Sequence, residues 1–278
     1  MSILFKLSEE ILDKLRKAEQ AKNRYMLISF SGWPDAGNVA SLTTRHFIKS
    51  LKPEKLIEFE SSDLYDLTIN RPAVKIEEGL MKELAFAKSE LYLWRDEGQR
   101  FSLLIFSGVE PSFKWEEFAE KILELCRAMS VQRMYLVGGV LDMVPHTRKP
   151  KISAVVNMER LKLEAKIHGF LLSNYVGPAS IHSSLMLKAR ENNLEAISVW
   201  GHASNYIPYP NAIVALHLAK KLAEMMDISM DFTALREMAE DLAQKVRKMI
   251  DENPDLKRVV EGIERRYDEE LGSPSYIT

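Results

Sequence analysis

Two polar loops carry residue types from which a ligand site could be built. The first is Gly32-Trp33-Pro34-Asp35-Ala36-Gly37-Asn38, set between an apolar run and a helical stretch. Free backbone N–H groups at a helix start attract an anion, and glycines let a ligand come close to the chain. Asp35 and Asn38 would flank such a site; alternatively, Asp35 caps the helix and the glycines shape the turn. The segment is not a P-loop, because no Gly-Lys-Ser/Thr follows, and its glycines sit five apart with a proline between them. The second loop is Asp142-Met143-Val144-Pro145-His146-Thr147-Arg148-Lys149-Pro150, just after a di-glycine. His146, Thr147 and Arg148 there could hold a carboxylate or phosphate, or Arg148 pairs with an acid such as Asp35 or Asp142.

Two further segments fall where strand-to-helix connections should face the same sheet edge. They are Tyr175-Val176-Gly177-Pro178-Ala179-Ser180 and Trp200-Gly201-His202-Ala203-Ser204-Asn205-Tyr206. His202 with His146 or His182 would be the acid–base or metal pair. Yet the six histidines are scattered and no His-x-x-x-His spacing occurs, so no metal is expected. Ser180 lacks the Gly-x-Ser-x-Gly surroundings of a nucleophile elbow. The single cysteine, Cys126, lies in the apolar-periodic run Phe118, Ile122, Leu125, Met129 and reads as a buried core thiol. No catalytic set assembles, no cofactor is implied, and the residues favour a non-catalytic protein.

The elements that must position these loops follow from hydrophobic periodicity. Residues 8–22 read as a helix capped by Ser8, and 25–31 as a buried strand. A helical stretch then runs through Leu51, and 56–60 is a second strand, giving a βαβ order and hence a parallel sheet. Between 61 and 100 the alternation at 74–76 and 91–94, with turn chemistry at Arg95-Asp96-Glu97-Gly98, predicts antiparallel strands and so a mixed sheet. A helix over 114–129 and a strand over 134–137 follow, the strand ending at Gly138-Gly139. Then come a strand at 153–156, a helix at 181–192 and a buried strand at 196–200. From Asn211 the chain is helical, with Asn253-Pro254 as an interruption. Residues 1–228 are expected to form an α/β core and 229–278 a helical C-terminal extension.

With 278 residues the chain can bury a stable core without disulfides or metal. Its 38 basic and 40 acidic residues leave a formal charge of -2, against a general nucleic-acid or membrane-surface binder. No apolar run of transmembrane length occurs, and acids interrupt the N-terminal segment where a signal peptide needs continuous apolarity. A cytoplasmic location is expected.

Five segments in register resemble the proteasome assembly chaperone 2 family. They are Gly32-Trp33-Pro34-Asp35-Ala36-Gly37; Gly108-Val109-Glu110-Pro111 with Trp115; Gly138-Gly139 with Val144-Pro145-His146-Thr147-Arg148; Tyr175-Val176-Gly177-Pro178; and Trp200-Gly201-His202-Ala203-Ser204-Asn205-Tyr206-Ile207. Lys149 interrupts what is usually Arg-Pro, and Ala203-Ser204-Asn205 stands where a Pro-His pair is common. The resemblance implies a three-layer α/β/α fold with a mixed central sheet, similar to nucleoside-phosphorylase-like proteins, plus a C-terminal helical extension. It also implies self-association into a homo-oligomer, and binding to proteasome core-particle subunits. In some relatives a tail ending hydrophobic–tyrosine–any residue docks between those subunits. Here Tyr276-Ile277-Thr278 is the corresponding tail, with Tyr276 third from the end rather than second. The other reading is a small-ligand-binding protein or an enzyme for an anionic or nucleoside-like substrate, using Asp35, Asn38, His146, Arg148 and His202.

Overall fold

Strand β1 (Asn23–Ser31) shows how the layers arise, since successive side chains of a strand leave on opposite faces. Met26, Ile28 and Phe30 point into one buried cluster and Leu27 into the other. Strands apolar on both faces need helices on both sides, which requires the three-layer arrangement. The structure is a computed structural model and describes residues 7–60 and 62–272. Helices α1 (Glu9–Ala18), α3 (Trp115–Ala128) and α5 (Ile181–Glu191) cover the Met26 face. Helices α2 (Val39–Leu51), α4 (Leu161–Ile167) and α6 (Ala212–Met226) cover the Leu27 face. Cys126 lies in the first of these layers, where burial pushes its thiol up to about 12.

The sheet has eight strands in the order β2-β5-β6-β1-β7-β10-β8-β9. Its centre is parallel: β6 (Phe101–Val109), β1, β7 (Arg133–Asp142) and β10 (Glu195–Ser204) run in one direction. The flanks are antiparallel. β5 (Lys88–Arg95) opposes β6 and β2 (Glu54–Glu60) opposes β5, while β8 (Ile152–Val156) opposes β10 and is joined by the short parallel β9 (Leu171–Leu172). The mixed sheet agrees with the sequence, but three details differ. β2 is not the parallel neighbour of β1; it forms the sheet edge against β5. β3 (Ala73–Glu77) and β4 (Leu80–Ala85) pair only with each other, as a separate ribbon. Strand β7 passes through Gly138-Gly139 instead of ending there. The glycines keep strand geometry and serve close packing across it.

Beyond the sheet, α7 (Thr233–Asp251) sets Leu235 and Ala239 into the core on the α6 side and Leu242 and Val246 against Ile207. Asn253 then caps α8 (Pro254–Gly272), its Oδ1 accepting the N–H groups of Asp255 and Leu256. No helix among the described residues is long and apolar enough to cross a membrane.

Candidate functional site

The parallel strands share one carboxyl end, where the ligands of open α/β sheets sit. The five polar residues singled out from sequence all come to this end, but they do not converge. Asp35 is buried, and its carboxylate accepts the backbone N–H of Ser41 at 3.0 Å and the Ser41 hydroxyl. It thus ties down the start of α2, and burial raises its pKa above the usual carboxylate value. Asn38 sits in the same turn with left-handed backbone, donating its N–H to the Asp35 carbonyl at 2.9 Å. This turn docks on β7: the Gly139 N–H donates to the Pro34 carbonyl at 2.7 Å, and a Cβ on Gly139 would lie 2.4 Å from the Ala36 carbonyl oxygen. Close approach of two backbones explains why glycine stands in the middle of a strand.

His146, Arg148 and His202 do line one cavity, with Lys151, Ser204 and Asn211, but its volume is only about 10 Å³. That is room for one water molecule. Neither Asp35 nor Asn38 lines it. The expected partner of Arg148 is corrected as well. Its guanidinium reaches neither Asp35 nor Asp142 and forks onto Asp268 of α8, at 3.0 and 2.8 Å, with Glu264 nearby at 3.6 Å. The sequence offered no reason to link residues 120 positions apart on the two sides of a helix break. Thr147 bonds Glu264 too, so this loop clasps the last helix. His146 pairs with Tyr206, whose hydroxyl accepts the His146 backbone N–H at 2.9 Å and lies 2.7 Å from Nδ1.

His202 lies within β10, not on a loop, and meets neither His146 nor His182 in a hydrogen bond. Its Nδ1 is 2.7 Å from Asp142 Oδ2 and its Nε2 is 2.8 Å from Ser153 Oγ, an order of groups that sequence reasoning missed. Ser, His and Asp in this sequence of contacts describe the proton path of a hydrolase. Here the serine is buried in mid-strand, with β9 and β10 on its two sides. Lys151 occupies the same carboxylate oxygen of Asp142 at 2.9 Å, so the chain of contacts is a tie across β7, β10 and β8. A nucleophile needs room for a substrate carbonyl and donors for its oxyanion, whereas Ser153 is buried within the sheet between its two neighbouring strands. His182 is different again. It is fully buried beside Phe30 and Trp200, with Nδ1 2.9 Å from Ser198 Oγ, and burial pushes its pKa down to about 3. Among the described residues no group of three His, Cys, Asp or Glu side chains forms a metal-ligand set. Tyr276, Ile277 and Thr278 lie outside the described residues.

The sheet end also exposes large apolar side chains. Trp33 follows β1, Phe113 follows β6, and Leu141 and Met143 end β7; all four are more than half exposed. Tyr175 and Val176 precede α5, whose first N–H, at Ile181, is held by Glu110 just beyond β6. The β3–β4 ribbon leaves from the same end, because β2 runs in the direction of β1. Burial of apolar groups is favourable by about 25 cal/mol per Å², so holding these side chains in water carries a cost. A sequence signal existed: large apolar residues stand inside Gly- and Pro-rich connections, at Trp33-Pro34 and at Tyr175-Val176-Gly177-Pro178, where polar residues are the rule.

The chain matches the model of the PAC2 family over residues 29–250. Its structure is similar to that of a PAC2 family protein from Streptomyces avermitilis, at 27% identity and a TM-score of 0.72, covering 81% of this chain and 95% of that one. It is also similar to a Mycobacterium tuberculosis proteasome-assembly chaperone homologue, at 23% identity and a TM-score of 0.76, covering 85% and 99% of the two chains. A third similar structure is PbaB of Pyrococcus furiosus, an archaeal proteasome activator, at 20% identity and a TM-score of 0.65, covering 82% and 93%. No curated protein matches the sequence.

Proposed function

The chain belongs to the PAC2 family, and from that premise we propose that it is a chaperone-like, protein-binding protein that acts as a cytoplasmic homo-oligomer. The observation that carries this reading is the apolar carboxyl end of the sheet. There Asp35, His146, Arg148 and His202 are engaged with neighbouring side chains, and Trp33, Phe113, Leu141, Met143, Tyr175 and Val176 are exposed. Protein interfaces bury such aromatic and aliphatic anchors at their centres. Similarity to a proteasome-assembly chaperone homologue and to an archaeal proteasome activator supports proteasome core-particle subunits as the partner class.

The test is capture of those subunits by the tagged full chain, with light scattering to weigh the 31.9 kDa chain's own assemblies. A triple variant W33S/F113S/Y175S should lose capture while melting as the wild type does, since the three side chains are exposed. A chain that stays monomeric, enriches no proteasome subunit, and is indifferent to the triple variant would overturn the reading.

A further inference from the structure

The β3–β4 ribbon stands apart from the main sheet. Its register pairs Val74 with Leu84, Lys75 with Glu83 and Ile76 with Met81, with one extra residue, Lys82, between the last two pairs. Cross-strand partners share a face, so Val74, Ile76, Met81 and Leu84 form one apolar face, and Lys75, Glu77 and Glu83 belong to the other together with Leu80. All four apolar side chains are half or more exposed, at 52%, 61%, 64% and 50%. Each strand also has a free outer edge, because the ribbon has two strands only. A lone two-stranded ribbon is marginal in water until a third strand or a packed face supports it.

The order of residues in β4 selects the partner. Leu80-Met81-Lys82-Glu83-Leu84-Ala85 reads apolar, apolar, charged, charged, apolar, apolar from either end, and the two charges have opposite sign. Laid antiparallel against itself about a two-fold axis between Lys82 and Glu83, the strand sets Lys82 beside Glu83 of the partner subunit, twice by symmetry. The same register puts Met81 opposite Leu84 of the partner subunit and Leu80 opposite Ala85 of the partner subunit. Opposed residues must share a face, and the extra residue at Lys82 is what gives Met81 and Leu84 theirs. The other edge matches less well: centring β3 on Ile76 would set Lys75 beside Glu77 of the partner subunit but leave Val74 opposite the partner's Glu78, a residue of the turn beyond the strand. Lys75 is already paired with Glu77 at 2.8 Å, whereas Lys82 and Glu83 form no ion pair with a described residue.

We infer that β4 is a self-recognition strand through which two copies of this chain join, ribbon to ribbon, into one four-stranded antiparallel sheet. This rests on the homo-oligomer reading above and names the element that makes the contact. The joined sheet carries four apolar side chains from each copy on one face, at the apolar sheet end from which the ribbons project.

Charge swaps test it, read by sedimentation equilibrium over a concentration series. K82E and E83K each place like charges at both symmetric positions, and each should weaken association by about tenfold or more. The double variant K82E/E83K should associate as the wild type does. So should an equimolar mixture of the two single variants, in which a doubly acidic strand meets a doubly basic one. Single variants that associate like the wild type, or a mixture that fails to recover, would overturn the inference while leaving an oligomer by other surfaces intact. A wild-type chain that is monomeric throughout would remove the homo-oligomer reading itself, and the inference with it. Circular dichroism of each variant shows that the fold persists, since both side chains are exposed.

Discussion

His202 Nδ1 and Asp142 Oδ2 meet at 2.7 Å across the parallel strands β10 and β7, whose register sets Val140 beside His202 and Asp142 beside Ser204. The hydrogen bond from His202, joined by that from Lys151, holds the Asp142 carboxyl well below the usual carboxylate range against the opposing effect of its partial burial. The tie therefore belongs to the packing of the sheet end. Its energetics have a definite pH signature.

A carboxyl whose folded pKa is depressed contributes stability that is complete above its unfolded value, near 3.8, and is lost as pH falls through the folded value. Asp142→Asn should cost about 2 kcal/mol at pH 7, within the range for hydrogen bonds to charged groups. The variant should then lose less than the wild type on acidification below pH ~4. Urea denaturation from pH 7 to pH 2.5 measures both quantities. Parallel acid slopes in the two proteins would show that Asp142 is not held in this way.

Two glycine-to-alanine changes should have opposite signs. At Gly139 the new methyl would meet the Ala36 carbonyl at 2.4 Å and Val39 Cβ at 3.0 Å, and a backbone atom cannot swing aside. Overpacking of this kind costs about 1–3 kcal/mol. At Gly262, within α8, the methyl meets nothing within 4 Å, and alanine should stabilise the helix by roughly 0.5–1 kcal/mol. Denaturant midpoints of the two variants should fall on either side of the wild type. A Gly139→Ala protein as stable as the wild type would mean that the Pro34 turn can leave β7 freely.

Much of the fold was legible because burial leaves a period. β1 and β10 show as buried apolar runs, β5 shows as an alternation, and the chain from Asn211 shows as helical. Strand partners were not legible, because hydrogen-bond pairing depends on contacts remote in sequence. β2 reads identically whether it lies beside β1 or at an edge, and β7 reads as ending at Gly138 until Trp200 and the Pro34 turn fill the space above its glycines. The short elements α4 and β9 were missed for the same reason, since two residues of strand carry no period. At the sheet end the residue types were visible, but their pairing was not. Arg148 was matched with acids near it in the loops, while its actual partner, Asp268, lies in a helix whose approach only the tertiary structure reveals.

Asp35 gives a test of opposite sign to Asp142 at the same end of the sheet. Its folded pKa is raised by burial, so the protonated form favours folding and that contribution is lost as pH rises from the unfolded value near 3.8 through the folded one. At pH 7 the carboxylate bears a desolvation cost that its bonds to Ser41 offset only in part. Asp35→Asn keeps an acceptor oxygen for the Ser41 N–H and removes the charge, so at pH 7 it should be neutral or modestly stabilising. Its advantage over the wild type should shrink below pH ~4, where the carboxyl is protonated in both states. Asp35→Ala removes the acceptor and should cost about 1–2 kcal/mol, as the loss of a helix cap does. Stability measured at pH 7 and pH 3.5 separates the two roles. An Asn variant as damaged as the Ala variant at pH 7 but restored at pH 3.5 would mean that the negative charge itself is needed at Asp35.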